Sequence, residues 1–288
     1  MTRRQTQPGF TLVEMIIVMV ITGIIGGMVA IFLRAPVQQY MSTARRADMT
    51  DIADTALRRI GRDLRLALPN SVRVNTSGSG ATTIYYLDFL VTSGGGRYRT
   101  ADAGTTYCAA AAQTNGDRLI FTAADTCFEV LGPQVQFQLN DQVVIYNQGT
   151  PGADAYEGNN LASHVRRPYA AGAVGVPVSI VTLTSPNRLP FESPNARFQI
   201  VHEQVRYICD PVAHTLKRYS FAGNAIVVPS ATVPASGVLL ANFISSCNFN
   251  YDANLVAQHA GLLTMNLGIT EDGETVTLYS ATHVSNVP

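Results

Sequence analysis

The chain has 288 residues, of which 47% are hydrophobic and only 14% charged, and its net charge is zero. That length and apolar content fit one large domain plus an appendage, with a membrane segment, β-rich structure or both, better than two full domains. The zero balance excludes a binder that works by broad neutralisation of nucleic-acid phosphates, and the choice of arginine over lysine, with Lys217 the only lysine, reads as genomic base composition.

The first segment holds most of the information. A short basic leader carries Arg3 and Arg4, and an apolar run over residues 10–33 follows, broken by one charge, Glu14. The run is long enough to cross a hydrocarbon core as a helix. A secretory signal peptide fits poorly: its apolar region should be shorter, with a small-residue cleavage site after it. An ordinary membrane anchor leaves Glu14 unexplained, because a carboxylate at membrane depth costs about 2.5–3.5 kcal/mol or more and persists only with a partner.

The run Gly9-Phe10-Thr11-Leu12-Val13-Glu14, behind a basic leader and ahead of an apolar helix, resembles the class III signal of the type IV pilin superfamily. The resemblance implies a membrane-embedded prepilin peptidase that cuts between Gly9 and Phe10 and N-methylates the new terminus. The residue types agree with that chemistry. Gly9 has no side chain, so the scissile bond can enter a tight site extended. The apolar run lies after the cut, so the mature subunit stays anchored. Assembly would also supply Glu14 with a partner, the Phe10 amine of a neighbouring subunit, in a low dielectric where the attraction is strong.

Further along, Gly23, Gly26, Gly27 and Pro36 interrupt the stem. Gly23 and Gly27 have the spacing that lets helices approach closely, although glycine is also simply common in membrane helices. Pro36 marks a candidate kink. After Pro36 the pattern becomes amphipathic: Met49, Ala53, Ala56, Leu57, Ile60, Leu64, Ala67 and Leu68 share one helical face. Asp51, Arg58, Arg62 and Arg65 lie opposite. Asp54–Arg58 and Arg59–Asp63 are spaced i,i+4 with one pair in the favoured acid-first order, so a solvated, salt-bridged face competes with an anion-binding patch. Pro69-Asn70 should stop the helix. A continuous helix over residues 10–68 would be about 90 Å long.

Beyond Ser71 the pattern is strands and loops. Strands are expected at 83–91, 118–122, 143–147, 178–183, 197–209, 215–221, 238–243, 247–251, 262–269 and 275–284. Asp272-Gly273 should turn a C-terminal hairpin, and Asp210-Pro211 a second one. The Gly/Ser/Thr-rich stretches 76–82, 93–104 and 149–160, including Gly94-Gly95-Gly96, read as surface loops. One helix followed by many strands is α+β.

The four cysteines, Cys108, Cys127, Cys209 and Cys247, lack metal-site spacing. Beyond a membrane segment they suit two disulfides. Sequence proximity favours Cys108–Cys127 and Cys209–Cys247, each worth roughly 3 kcal/mol; four buried thiols is the alternative. No catalytic constellation stands out. His202-Glu203 begins like a zinc-protease helix, but Arg206 occupies the second histidine's place. His164, His202, His214, His259 and His283 are dispersed, and turn chemistry explains Asn115, Asp117, Asp272 and Glu274 more simply than calcium. Neither a metal nor a cofactor is expected.

The helix end, Arg58-Arg59-Ile60-Gly61-Arg62-Asp63-Leu64-Arg65 running into Leu68-Pro69-Asn70-Ser71-Val72-Arg73-Val74, is similar to the O-type minor pilins of MSHA (mannose-sensitive haemagglutinin) pili. So are Val143-Val144-Ile145-Tyr146-Asn147, Arg197-Phe198-Gln199-Ile200-Val201, Tyr207-Ile208-Cys209-Asp210 and His283-Val284-Ser285-Asn286-Val287-Pro288. The large head also resembles the J-type minor pseudopilins of type II secretion. These resemblances imply a cleaved leader (1–9), a pilin helix (10–68, with 10–33 transmembrane) and a periplasmic β-rich head (69–288). They imply a non-enzymatic, low-copy subunit that primes or tips a filament. Its partners would be the prepilin peptidase, other major and minor pilins and the inner-membrane assembly platform, with no nucleic acid. A ligand-binding tip adhesin or DNA-uptake pilin is the rival of another class.

Overall fold

A computed structural model of the chain describes residues 9–101, 108, 118–157, 164–170, 174–184, 188–256 and 260–288. The chain divides into two compact units, Met1–Met49 and Thr50–Pro288. One helix, α1 (Leu12–Leu64), contributes to both.

In the first unit, Gly23, Gly26, Gly27 and Pro36 all lie inside α1, where their sequence suggested interruptions. Each glycine costs a helix about 1 kcal/mol in water, and an internal proline more. A membrane reverses that balance, because backbone groups in lipid must be satisfied within their own segment. Thr22 follows the same rule: its hydroxyl donates to Val18 O at 2.6 Å.

The second unit begins with the last turns of α1. Ala53, Ala56, Leu57, Ile60 and Leu64 are buried along one face. Burial of each large aliphatic side chain contributes about 1.5–3 kcal/mol. The helix ends at Leu64, four residues before the expected stop, and the next segment behaves as strand. Leu66 N and Ala67 N close a tight last turn on Asp63 O and Leu64 O, both at 3.1 Å, and the chain then passes to a sheet edge, where Leu68 N donates to Leu90 O at 2.7 Å and Thr92 N to Leu66 O at 2.8 Å.

Fourteen strands follow among the described residues: β1 (Arg73–Ser77), β2 (Ile84–Tyr98), β3 (Cys127–Leu131), β4 (Val135–Gln136), β5 (Gln142–Val144), β6 (Arg166–Pro168) and β7 (Pro177–Val178), then β8 (Ile180–Thr182), β9 (Arg197–Asp210), β10 (Thr215–Ala222), β11 (Val238–Asn242), β12 (Ile244–Val256), β13 (Ala260–Glu271) and β14 (Glu274–Ser285). The main sheet runs β11-β10-β9-β2-β3-β8, with β1 on β2 and the β5–β6 pair on β9. A second sheet is β12-β13-β14, and all ladders between these strands are antiparallel. The α+β class expected from sequence is the class found.

Several local expectations need correction. Residues 118–122 form no strand, the stretch 143–147 shortens to β5, and 178–183 breaks at Ser179 into β7 and β8. Gly94-Gly95-Gly96 is not a loop but part of β2, opposite Ile200, Gln199 and Phe198 of β9. Close approach explains these glycines: a Cβ on Gly95 would stand 2.6 Å from Phe198 O, and one on Gly96 3.0 Å from the Phe198 ring. The β2–β9 ladder slips between Val91 and Thr92 and again between Thr92 and Gly94, a bulge just ahead of these glycines.

Two faces of the β2–β9 pair carry different chemistry. On one, Leu87, Phe89, Val205 and Tyr207 are buried, and Tyr207 reaches Asp63 of α1, so this face carries the helix. The opposite face buries Asp88 and Arg206, their ion pair at 2.8 Å, together with Gln204. The segment after β10 covers them: Arg206 donates to Thr232 O at 3.0 Å and Val227 N to Gln204 Oε1 at 2.8 Å. A further core of Tyr98, Phe128, Phe137, Ile145, Val181 and Phe198 fills the region built between β2 and β9.

Candidate functional site

The candidate site is the entrance to α1. Thr11 stands just ahead of the helix, and its Oγ1 accepts the Glu14 N–H at 3.3 Å. Thr11-Leu12-Val13-Glu14 thus has the T-x-x-E order of a capping box, which fixes where the helix starts. A carboxylate in the first turn also faces the positive end of the helix dipole. The same acid that is costly at membrane depth therefore has a local reason to be in that turn.

Gly9 and Phe10 precede the helix, and both are exposed. Nothing lies within 4 Å of where a Gly9 Cβ would be. Phe10, Glu14 and Val18 follow one another at i, i+4 and i+8 along a single face of the stem. From Leu12 through Leu33 every large apolar side chain is at least half exposed, and the helix is long and apolar enough to cross a membrane. Among the described residues this entrance holds no nucleophile–base pair. It presents an open, glycine-led peptide bond, then a capped helix bearing one acid. Arg3 and Arg4 lie outside the described residues.

The other expected residues are dispersed over the head. Cys108 bonds Cys127 at the start of β3, and Cys209 of β9 bonds Cys247 of β12, with Cα atoms 5.9 Å and 6.4 Å apart. The second bridge ties the two sheets together, as does the edge-to-face contact of Tyr85 with Phe249. His202 and Glu203 sit on a strand, not a helix. His202 Nδ1 lies 2.7 Å from Asp141, and Glu203 pairs with Arg218 at 2.6 Å. Among the described residues no group of three or more His, Cys, Asp or Glu could hold a metal ion. Asp272 and Gly273 both have positive φ, 49° and 81°, and form the two-residue turn of the β13–β14 hairpin. Asp210 turns the β9–β10 hairpin by accepting the Val212 and Ala213 N–H groups. Asn115, Asp117 and His259 lie outside the described residues.

Two charged clusters were not foreseen. Asp63 accepts the Tyr207 hydroxyl at 2.7 Å and Arg218 Nε at 2.9 Å, while the expected Arg59 is 3.3 Å away. Burial, helped by Asp63, pushes the Tyr207 hydroxyl up. Burial opposes the Arg218 charge, yet Asp63 and Glu203 outweigh it and hold the guanidinium above its ordinary range. Elsewhere, burial pushes the Arg166 and Arg167 guanidiniums down to about 10. His164 lies beside them, its Nδ1 accepting the Arg166 N–H at 3.0 Å, and burial followed by these two cations lowers its pKa.

The family model for the prokaryotic N-terminal methylation motif matches residues 4–30. No curated protein and no solved structure matches the chain. The motif, the long apolar helix and the antiparallel head define a type IV pilin-like protein, of the class processed by prepilin peptidase. Within that class the N-terminal helix fits a membrane anchor by length and composition, and the head is large and disulfide-bonded.

Proposed function

We propose that this chain is a minor pilin of an MSHA-like type IV pilus, taking part in filament initiation or in the tip complex. Prepilin peptidase cuts between Gly9 and Phe10 and methylates the Phe10 amine. The stem crosses the inner membrane with its N-terminus cytoplasmic and its head periplasmic. Glu14 then pairs with the Phe10 amine of an adjacent pilin as the assembly platform extracts the subunit.

The observation that carries this reading is Glu14, an exposed acid one turn after Phe10 on a stem whose other side chains through Leu33 carry no charge. Without a cationic partner, lipid would penalise it by about 2.5–3.5 kcal/mol. With one, the low dielectric favours the pair over any surface ion pair. The large head supports a low-copy role, because it is easier to place once at a tip than at every position of a tight helical filament.

Two variants test the proposal in cells that make the pilus. Gly9→Leu should leave the precursor uncut on immunoblots, and normal maturation would refute the cleavage site. Glu14→Val should mature but be absent from sheared filaments; wild-type incorporation would remove the ion-pair argument. Deletion of the gene should abolish or shorten surface pili, whereas loss of protein secretion with intact pili would move the chain to the pseudopilins.

A further inference from the structure

The second sheet ends on an open edge. Among the described residues β14 pairs only with β13. Between β14 and the head portion of α1 lies a groove of about 710 Å³, lined by Thr55, Arg58 and Arg62 from the helix, by Arg65 just past its end and by Ser280 and Thr282 from the strand. Gly61 brings the two walls together: a Cβ there would meet Thr282 Oγ1 at 3.3 Å. An unpaired strand edge is a row of backbone donors and acceptors ready to pair with another chain, and proteins usually blunt it.

The charge beside this edge is one-sided. Arg58 is engaged by Asp54 at 2.7 Å. Arg62 and Arg65 are exposed, and among the described residues neither has an acid within ion-pair distance. Their neighbours three and four positions away are Arg58, Arg59, Gly61, Arg65, Leu66, Leu68 and Pro69 and each other, so no helical partner exists. Successive arginines rise about 4.5–6 Å along the axis. Alternate side chains on an extended strand rise about 6.7 Å. The two repeats match within the reach of an arginine.

We propose that the β14 edge takes up an extended acidic segment of a neighbouring subunit as a fourth strand of the β12-β13-β14 sheet, with alternate carboxylates on Arg62 and Arg65. Backbone pairing supplies the affinity and the arginines set the register, as in strand addition generally. A nucleic acid fits less well, since the groove offers no aromatic side chain on which a base could stack. The inference rests on the reading that the chain works among other subunits, but its test requires neither pili nor leader processing.

The full-length protein in detergent is titrated, at low salt, with a labelled peptide of alternating Glu and Val about eight residues long. A second peptide has the same sequence with every backbone nitrogen methylated, keeping the charge and losing the donors. The plain peptide should bind, and amide exchange should show new protection within β14. Methylation of the peptide, or Arg62→Glu with Arg65→Glu, should each weaken binding by tenfold or more. Equal binding of both peptides would reduce the groove to a patch of charge and overturn the proposal. So would protection confined to other strands, or no binding up to about 1 mM. The methylated peptide is tested on the unmodified protein, so the result stands even if the double variant misfolds. Failure here would leave the Gly9 and Glu14 tests untouched.

Discussion

Replacing Asp63 tests how the helix is fixed to the head. Its carboxylate accepts the Tyr207 hydroxyl and Arg218 Nε, and its side chain is only 15% exposed. A hydrogen bond to a charged group contributes about 1.5–3 kcal/mol, and a buried polar group left unpartnered costs a similar amount. Arg218 retains Glu203 at 2.6 Å, so it is not left bare. Asp63→Ala should therefore cost about 3 kcal/mol, most of it from the stranded Tyr207 hydroxyl and the lost Arg218 bond. Tyr207→Phe removes donor and need together and should cost about 1.5 kcal/mol. The double variant should fall short of the sum by about 1 kcal/mol, because the two groups share one bond. The assay is equilibrium urea unfolding of the detergent-solubilised chain, disulfides intact, followed by near-ultraviolet circular dichroism. A loss below about 0.5 kcal/mol for Asp63→Ala, a value ordinary for surface positions, or strict additivity of the pair, would refute the argument.

Three further outcomes are expected. His164 has a folded-state pKa below the ordinary 6.5, so the unfolded chain binds its proton first. The stability contributed by its neutral form is complete above about 6.5 and is lost as pH falls. His164→Asn, which can keep an acceptor for the Arg166 N–H, should flatten unfolding free energy against pH between about 7 and 5; an unchanged slope would contradict this. Burial pushes the Asp88 carboxyl up, while Arg206 and Gln204 pull it back, and an acid raised in the folded state acts with the opposite sign, favouring folding as pH falls. In β2, Gly95→Ala should cost about 1–3 kcal/mol by forcing a methyl against Phe198 O. Gly94→Ala, whose Cβ would rest 3.8 Å from Ile200 Cδ1, should be neutral or gain about 0.5 kcal/mol. Thermal melts that rank the two glycines the other way would show that the close approach is not what requires Gly95.

The stem was legible residue by residue. A 3.6-residue period and an apolar run are local signals, and they locate the helix, its buried face and the acid without any knowledge of the head, whereas its start at Leu12 behind the Thr11 cap came from the structure. The two hairpins at Asp210 and Asp272 were equally readable, because turn chemistry is decided by neighbours in sequence. Gly94-Gly95-Gly96 was misread for the converse reason: glycine signals a loop locally, but here it answers to Phe198, a residue about a hundred positions away. Among the short strands β3, β4 and β6 escaped, while β5, β7 and β8 were expected only as longer stretches; β4 to β8 hold two or three residues each, too few to show alternation.

The sequence by itself determined that this is an α+β chain with an apolar N-terminal helix, one acid at its entrance and a prepilin-type signal, because each depends on spacing along a single segment. Only the tertiary structure decided that Asp63 belongs to Tyr207 and Arg218 more than to Arg59, that residues 66–68 join a sheet edge, and that Arg62 and Arg65 border an open strand. Those outcomes rest on groups far apart in the chain competing for the same partners, and no local pattern records who wins.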